Sequence, residues 1–279
     1  MMNIGIIGYG SMGKMMLLKY LAATGIDQSG FYIANRTYDK IKNLKNAYPQ
    51  LNVCASLAEL APAVDIVFIC VKPLDIKTVL SGIIGSLKPS CHIVSLNSSV
   101  LFSHLERVAP NRKISKAVPS ITAEVNQSVT LVCHNQLVTQ TDKTELYRLL
   151  ECFGSITEIP ESELSLGSVI TSSMPGFIGA LFKVIAEEAV KHTSLPKETI
   201  LKMFVETYYG TGTLLLAKAM TFSSLIERVA TKGGLTEEGT EVINAQFPPI
   251  MESLFAKTLT KRKAIIEQSI IEFNTLDQQ

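Results

Sequence analysis

Short continuous apolar runs alternate with amphipathic stretches through the first 160 residues of the chain. The pattern predicts strands over 4–7, 31–34, 51–54, 65–71, 92–96, 113–118 and 129–133, with a last strand near Ile156. Between them it predicts helices over 11–24, 38–47, 76–84, 101–108 and 143–152, and a short helix over 56–60 capped by Ser56. The run Asp65-Ile66-Val67-Phe68-Ile69-Cys70-Val71 is apolar throughout after its first residue, as in a strand buried on both faces. Such alternation predicts an α/β fold with a Rossmann-like, doubly wound parallel sheet. After Pro160 only helical periodicity remains. A helical stretch over 168–191 carries apolar residues nearly all round (Phe177, Ile178, Leu181, Phe182, Val184, Ile185), the pattern of a helix covered on several sides, as by a partner subunit. Another helix is expected over 197–220, weakened at Gly210 and Gly212 unless a second backbone approaches closely there. A Gly233-Gly234 turn then leads into a helical run over 237–273, in which Pro248-Pro249 removes two backbone donors and predicts a break. The boundary falls near residue 160, dividing the chain into 1–160 and an all-helical 161–279.

The first strand runs into three glycines. Gly8-Tyr9-Gly10-Ser11-Met12-Gly13 has GxGxxG spacing between a strand and a helix, the context a dinucleotide fingerprint requires. Gly8 permits the turn, Gly10 lets a pyrophosphate approach the backbone, and Gly13 brings helix and strand together. The phosphates then meet free N–H groups at a helix N-terminus. The residue ending the second strand selects the cofactor: an acid there binds a ribose 2′-hydroxyl. This chain has Asn35, followed by Arg36 and Thr37, with no acid before Asp39. One guanidinium and two short donors suit a 2′-phosphate, so NADPH is expected over NADH. Val71-Lys72-Pro73 closes the fourth strand at the edge that faces the nicotinamide half. Lys72 there either touches the cofactor or is solvated.

Composition narrows the class without changing this picture. The 279 residues are 47% hydrophobic and carry a net charge of +1, with Lys and Arg dispersed, so neither a nucleic-acid footprint nor a polybasic membrane patch is expected. No apolar run approaches the roughly 20 residues that span a bilayer, and no signal-type block precedes the first strand. Cys54, Cys70, Cys91, Cys133 and Cys152 form no CxxC pair; buried free thiols in a reducing cytoplasm fit best. The four histidines lack ligand spacing, so no metal is expected.

In these motifs the chain resembles the pyrroline-5-carboxylate reductase family across nearly its whole length. The glycine fingerprint, Asn35-Arg36-Thr37 and Val71-Lys72-Pro73 occur in that family's order. Lys116-Ala117-Val118-Pro119-Ser120 stands where the family has Arg-Val-Met-Pro-Asn. Met174-Pro175-Gly176-Phe177 stands for Gly-Pro-Ala followed by Tyr or Phe, and Thr231-Lys232-Gly233-Gly234-Leu235-Thr236 for Ser-Pro-Gly-Gly-Thr-Thr. The resemblance implies NADPH-dependent reduction of 1-pyrroline-5-carboxylate to L-proline by an intertwined helical dimer. It implies that Thr231, Gly233, Gly234, Leu235 and Thr236 receive the small imino-acid substrate. A glycine turn entering a helix suits its carboxylate, and the Thr236 hydroxyl is the expected contact to the imine nitrogen. An ordinary helix entry with Thr236 as N-cap explains the same residues structurally, and Glu237 and Glu238 would compete for the helix dipole.

The substitutions in these segments resemble a divergent, late-competence-type branch, whose members define the rival from another class: a regulator that keeps the cofactor and loses turnover. A β-hydroxyacid dehydrogenase shares the two-domain plan, but its lysine with an asparagine four residues on is here Lys183 with Glu187. That spacing fits an ion pair across one helical turn.

Overall fold

The computed structural model describes residues 2–23 and 27–275; the predicted end of the first helix at Thr24 lies outside the described residues. The first half forms strands β1 (Ile4–Ile7), β2 (Phe31–Ala34), β3 (Asn52–Val53), β4 (Ile66–Ile69), β5 (His92–Ser95), β6 (Ile114–Val118), β7 (Ser128–His134) and β8 (Gly154–Glu158). Helices α1 (Ser11–Ala22), α2 (Leu44–Ala47), α3 (Leu57–Leu60), α4 (Ile76–Ile83), α5 (Phe102–Val108) and α6 (Gln140–Leu150) connect them. The strands make one sheet in the order β3-β2-β1-β4-β5-β6-β7-β8. The order reverses between β1 and β4, which pair in parallel from Ile4 opposite Ile66 to Ile7 opposite Ile69. Both are buried along their whole length, as continuous apolar runs dictate.

Three expectations need correction here. The sheet is not wholly parallel: β6 and β7 pair antiparallel, Lys116 opposite Cys133. Only the nine-residue connection Pro119–Gln127 and its 3-10 turn at Ile121–Val125 join them, too short for a helical crossover. The helix expected over 38–47 is a 3-10 turn at Tyr38–Lys40 and the single turn α2, with Ile41 as the buried anchor. The strand expected over 51–54 pairs only through its two central residues.

The core on one face of the sheet is organised by Tyr20 of α1. Its ring is fully buried, 5.3 Å from Phe31, 6.3 Å from Phe68 and 5.2 Å from Phe153. Aromatic contacts of this kind add to the area they bury.

The remaining helices are α7 (Leu164–Ser168), which passes through a π turn at Val169–Ser173 into α8 (Met174–Ala189), then α9 (Lys197–Lys218), α10 (Phe222–Val229) and α11 (Leu235–Thr275). The chain forms two compact units: one from its start to Ser173 together with the segment from Leu259 onward, and one spanning Met174–Thr258. The end of α11 therefore belongs to the sheet unit. Arg262 donates to Ser98 at 2.7 Å, Ser99 at 3.2 Å and Ser168 at 2.8 Å. Phe273 is fully buried beside His104, and its carbonyl accepts from Lys77 at 2.6 Å and Arg107 at 2.7 Å. Cations at a helix C-terminus also complement its dipole.

In the helical unit, α11 continues through Pro248 and Pro249 without the predicted break. The prolines deprive only two carbonyls of their donors, and the helix continues on both sides. Phe182 of α8 packs edge-on against Phe204 and Tyr208 of α9. Yet Ala186 is the only buried residue of α8, and α9 buries none among its described residues. The helical stretch Glu161–His192 is long and apolar enough to cross a bilayer by length and composition, and its most apolar window is only 11% buried. This corrects the reading that no stretch approaches such a length: no Asp, Glu, Lys or Arg interrupts 165–182, and the intervening Ser, Thr and Gly leave the average apolar.

A polar chain crosses the sheet edge. His92 and Ser115 meet at 2.7 Å, Ser115 and His134 at 2.6 Å, His134 and Tyr147 at 3.0 Å, and Tyr147 donates to Glu158 at 2.7 Å. Burial pushes His92 down to about 4, against the pull of Asp142, and His134 down to about 4, against that of Glu158. Both imidazoles are thus neutral in the fold at pH 7, while unfolded histidine titrates near 6.5. Below that value the unfolded chain binds more protons, so stability falls as pH drops from about 6.5 to about 4. For His92 the loss amounts to roughly 3 kcal/mol. Urea midpoints measured across this window should fall steeply in the parent protein and less steeply in His92→Gln; equal slopes would refute the assignment.

Candidate functional site

The crossing of β1, α1 and β4 is built on absent side chains. Gly8 has φ +104°, and a Cβ there would sit 3.0 Å from the backbone of Cys70. A Cβ on Gly13 would lie 2.0 Å from the Gly8 carbonyl oxygen, which no adjustment of a side chain could relieve. A Cβ on Gly10 would meet nothing within 4 Å, so that glycine borders open space. The Gly8 N–H donates to Ala34 at 2.9 Å, and the α1 ladder begins with Lys14 donating to Gly10 at 2.9 Å. The N–H groups of Ser11, Met12 and Gly13 precede that first bond, and no acid occupies the first turn of α1. This helix entry keeps its positive character.

A cleft of about 490 Å³ opens over this crossing. Of the residues expected to hold the cofactor, Gly8, Tyr9, Gly10, Asn35, Arg36, Val71 and Lys72 line it. Ser11, Met12 and Gly13 form the first turn of α1. Pro73 borders a second cleft of about 400 Å³, which shares Arg36, Lys72 and Asp75 with the first and adds Ile265 and Gln268 of α11. Asn35 is committed to the loop itself: its Oδ1 accepts from the Tyr9 N–H at 2.9 Å and its Nδ2 donates to the Thr37 carbonyl at 2.9 Å. It braces the fingerprint turn against β2, and Thr37 contributes a carbonyl rather than its hydroxyl. Arg36 projects into solvent, its side chain 87% exposed.

The sequence reading missed Lys40, Ser56, Asp75 and Thr78, which also line the cleft. No local motif marks them. The available signal was topological: ligands of doubly wound sheets sit beyond the carboxyl ends of the strands, and Asp75 follows β4. It places an acid 3.4 Å from Arg36, where the local sequence had shown none.

The segment matching the family's Arg-Val-Met-Pro-Asn is interior. Lys116 is fully buried, 2.5 Å from Glu161 and 5.2 Å from the centre of the Phe102 ring. Burial draws its pKa down and Glu161 draws it up. Ser120 is also buried, its N–H donating to Ser128 at 2.9 Å. Lys183 and Glu187 lie 4.0 Å apart one turn on, with Lys197 3.6 Å from the same carboxylate, so the dehydrogenase-type lysine is spent in a surface ion pair.

In the helical unit, the Thr231–Thr236 turn is compact. Gly233 has φ +70°, and the Gly234 N–H donates to Thr231 at 2.8 Å. A Cβ on Gly234 would lie 2.4 Å from the Thr231 hydroxyl. Helix α11 starts at Leu235, so Thr236 sits within its first turn rather than capping it. Glu237 reaches back and accepts from the Gly233 N–H at 2.5 Å. That acid is thus bonded to an N–H of the turn itself. Leu235 is 95% exposed.

A doubly wound sheet with a cationic cleft over a glycine crossing, followed by a helical unit, defines a dinucleotide-dependent oxidoreductase. Residues 3–98 match the model for NADP oxidoreductase, coenzyme F420-dependent, and residues 161–265 the model for pyrroline-5-carboxylate reductase dimerisation. The chain is 37% identical over 270 residues to pyrroline-5-carboxylate reductase 3 of Bacillus subtilis, covering 96% of this chain and 98% of that one. It is 31% identical over 260 residues to ComE operon protein 4 of the same organism, covering 93% and 95%. Its fold is that of the Plasmodium falciparum pyrroline carboxylate reductase crystallised with NADP bound, with a TM-score of 0.78 at 22% identity over 98% of each chain. The chain belongs to the pyrroline-5-carboxylate reductase family.

Gly10→Val tests the cleft. Its Cβ meets open space, so the thermal midpoint should stay within a few degrees of the parent, while NADPH affinity falls at least tenfold, on the order of 1.4 kcal/mol. Unchanged affinity, read by reduced-nicotinamide fluorescence, would refute the placement.

Proposed function

We propose that this protein reduces the C=N bond of 1-pyrroline-5-carboxylate to give L-proline, with NADPH preferred over NADH. The observation that carries this reading is the likeness to pyrroline-5-carboxylate reductase 3 of Bacillus subtilis, which extends over 96% of the chain. The cofactor half is supported by the glycine crossing, which leaves room at Gly10, and by three cations, Arg36, Lys40 and Lys72, lining one cleft. Gly8, Tyr9, Gly10, Ser11, Met12 and Gly13 hold the pyrophosphate through backbone N–H groups. Asn35, Arg36 and Thr37 form the 2′-phosphate pole, Arg36 as the charge and Asn35 with Thr37 as the brace. Val71, Lys72 and Pro73 flank the cofactor along the end of β4. Residues 1–160 carry the cofactor function and 161–279 the substrate and dimerisation functions, although within 161–279 the residues up to Ser173 and from Leu259 onward belong to the sheet unit.

When bound, the reduced nicotinamide supplies the hydride that the imine carbon accepts. The protein orients the ring, stabilises the substrate carboxylate and excludes water. Thr231, Gly233, Gly234 and Leu235 present the carboxylate site, and the Thr236 hydroxyl contacts the imine nitrogen as it becomes an amine. The substrate carboxylate must displace Glu237 from the Gly233 N–H. Five free cysteines, three of them buried, suit the reducing cytoplasm.

The Glu237 contact also favours a second reading. A carboxylate of the chain's own already occupies the turn, and ComE operon protein 4 is also similar along nearly its full length. On that reading the protein binds NADPH and acts through partners without turnover.

Incubation of the pure protein with NADPH and the pyrroline substrate separates the two. Loss of reduced-cofactor absorbance supports the reductase; NADPH binding without turnover supports the regulator. In the reductase, Glu237→Gln should lower KM for the substrate several-fold with little effect on KM for NADPH. An unchanged substrate KM would show that Glu237 does not compete.

The exposed apolar faces of α8 and α9 are covered by a second copy of the chain. Light scattering at micromolar concentration should give at least twice the 30.5 kDa chain mass. A monomer would contradict this.

A further inference from the structure

The geometry points to Asp75 as the residue that limits how strongly the cleft discriminates NADPH from NADH. The inference rests on the reading of that cleft as the cofactor site.

The end of β2 carries no acid, and Asn35, the residue in that position, is occupied in bracing Tyr9 and Thr37. The fold nevertheless brings an acid to the same pole. Asp75 lies six residues beyond the end of β4, lines both clefts, and stands 3.4 Å from Arg36. Its side chain is 40% exposed and makes no capping hydrogen bond to α4. Its backbone N–H donates to Lys72 at 3.0 Å, which fixes the turn while leaving the carboxylate directed at the arginine. Among the other polar side chains that line the two clefts, Lys72 and Lys40 are the cations, Asn35, Ser56 and Thr78 are neutral, and Gln268 comes from α11.

One carboxylate in this place has opposite effects on two cofactors that differ by a single phosphate. Toward a 2′-phosphate it is a like charge, and it holds the guanidinium that the phosphate must recruit. Toward a bare 2′-hydroxyl it is a hydrogen-bond acceptor, the part played by the acid at the end of the second strand in NAD-selective sheets. Asp75 therefore lowers affinity for NADPH, raises it for NADH, and narrows the gap between them. The pair is exposed, so its contribution is modest. Asparagine is an equally good residue at the start of a helix, and the carboxylate makes no bond within α4, so Asp75→Asn spares the fold.

The test measures dissociation constants for NADPH and NADH, by nicotinamide fluorescence, in the parent protein, Asp75→Asn and Arg36→Ala. Asp75→Asn should raise the ratio of the NADH to the NADPH constant about fivefold, in line with the energy of an exposed ion pair. Arg36→Ala should lower the same ratio. A purely structural effect would move both constants together, so a ratio unchanged within twofold in Asp75→Asn overturns the proposal. If Arg36→Ala lowers the ratio while Asp75→Asn leaves it fixed, only Asp75 is discarded and the cofactor site stands. If the parent binds neither nucleotide, the cofactor site falls and the proposal with it.

Discussion

Gly13 sits so close to the Gly8 carbonyl that an added methyl group would lie 2.0 Å from the oxygen. This approach fixes the angle at which α1 leaves β1, and the position of β4 follows from it, because Gly8 also lies against the backbone of Cys70. The cleft is a consequence. β1 and α1 converge there without side chains of their own, at Gly8, Gly10 and Gly13, against the backbone and side chains of Cys70 and Val71. Its location between β1 and β4 is the point where the strand order reverses. Asn35 completes the constraint by tying the Tyr9 N–H to the end of β2. The residue that would otherwise declare the cofactor by its charge thus serves as a brace.

The two places proposed to receive anions share a property. At Arg36 the neighbour is Asp75, and at the Gly233 N–H it is Glu237. In each case the chain supplies its own carboxylate to a group that an anionic ligand would use. An intramolecular competitor acts at a high effective concentration, so it keeps a cationic or donor-rich site satisfied when no ligand is bound. Its cost falls on affinity, and it falls unequally on ligands that differ in charge. The spacing of the residues conceals this: Glu237 is near its target in sequence, but Asp75 is 39 residues from Arg36 and reaches it only through the parallel pairing of β1 with both β2 and β4.

What could be read from the chain follows from how local each signal is. The apolar runs at β1, β4 and β5, the glycine spacing and the Ser56 cap are determined by residues within a few positions of one another, and the structure has them where they were expected. The antiparallel β6–β7 pair was missed because an alternating pattern does not report strand direction. Only the absence of a helix between the strands does so. The return of α11 to the sheet unit was equally hidden. Phe273 is one apolar residue in a long helical pattern, and its burial depends on Lys77 and Arg107, which are remote in sequence. In the cleft, Arg36 and Lys72 were legible from motif position, whereas Lys40, Ser56, Asp75 and Thr78 gather through tertiary structure alone.

The helical unit poses a different question, because its exposed faces do not satisfy ordinary burial. Val184, Ile185, Met203, Val205, Leu216 and Phe222 are all exposed, on helices whose neighbours within the chain bury almost nothing of them. The apolar length of Glu161–His192 would admit a bilayer. The charges argue otherwise: Lys183, Glu187 and Lys197 form a cluster on α8 and α9, and Lys202 pairs loosely with Glu206 on the same α9 that carries the apolar side chains. A lipid-facing helix would have to desolvate these groups, whereas a protein partner leaves them at a wet rim. Gly210 and Gly212 add a steric argument. Each costs about 0.5–1 kcal/mol relative to alanine in a helix interior, and each faces open space within the chain. Glycine at such positions allows a second helix to approach to backbone distance, which a fluid lipid tail does not require. The match of this region to a reductase dimerisation model is the expected counterpart of that opening: an apolar, locally bare surface suits a second copy of the chain.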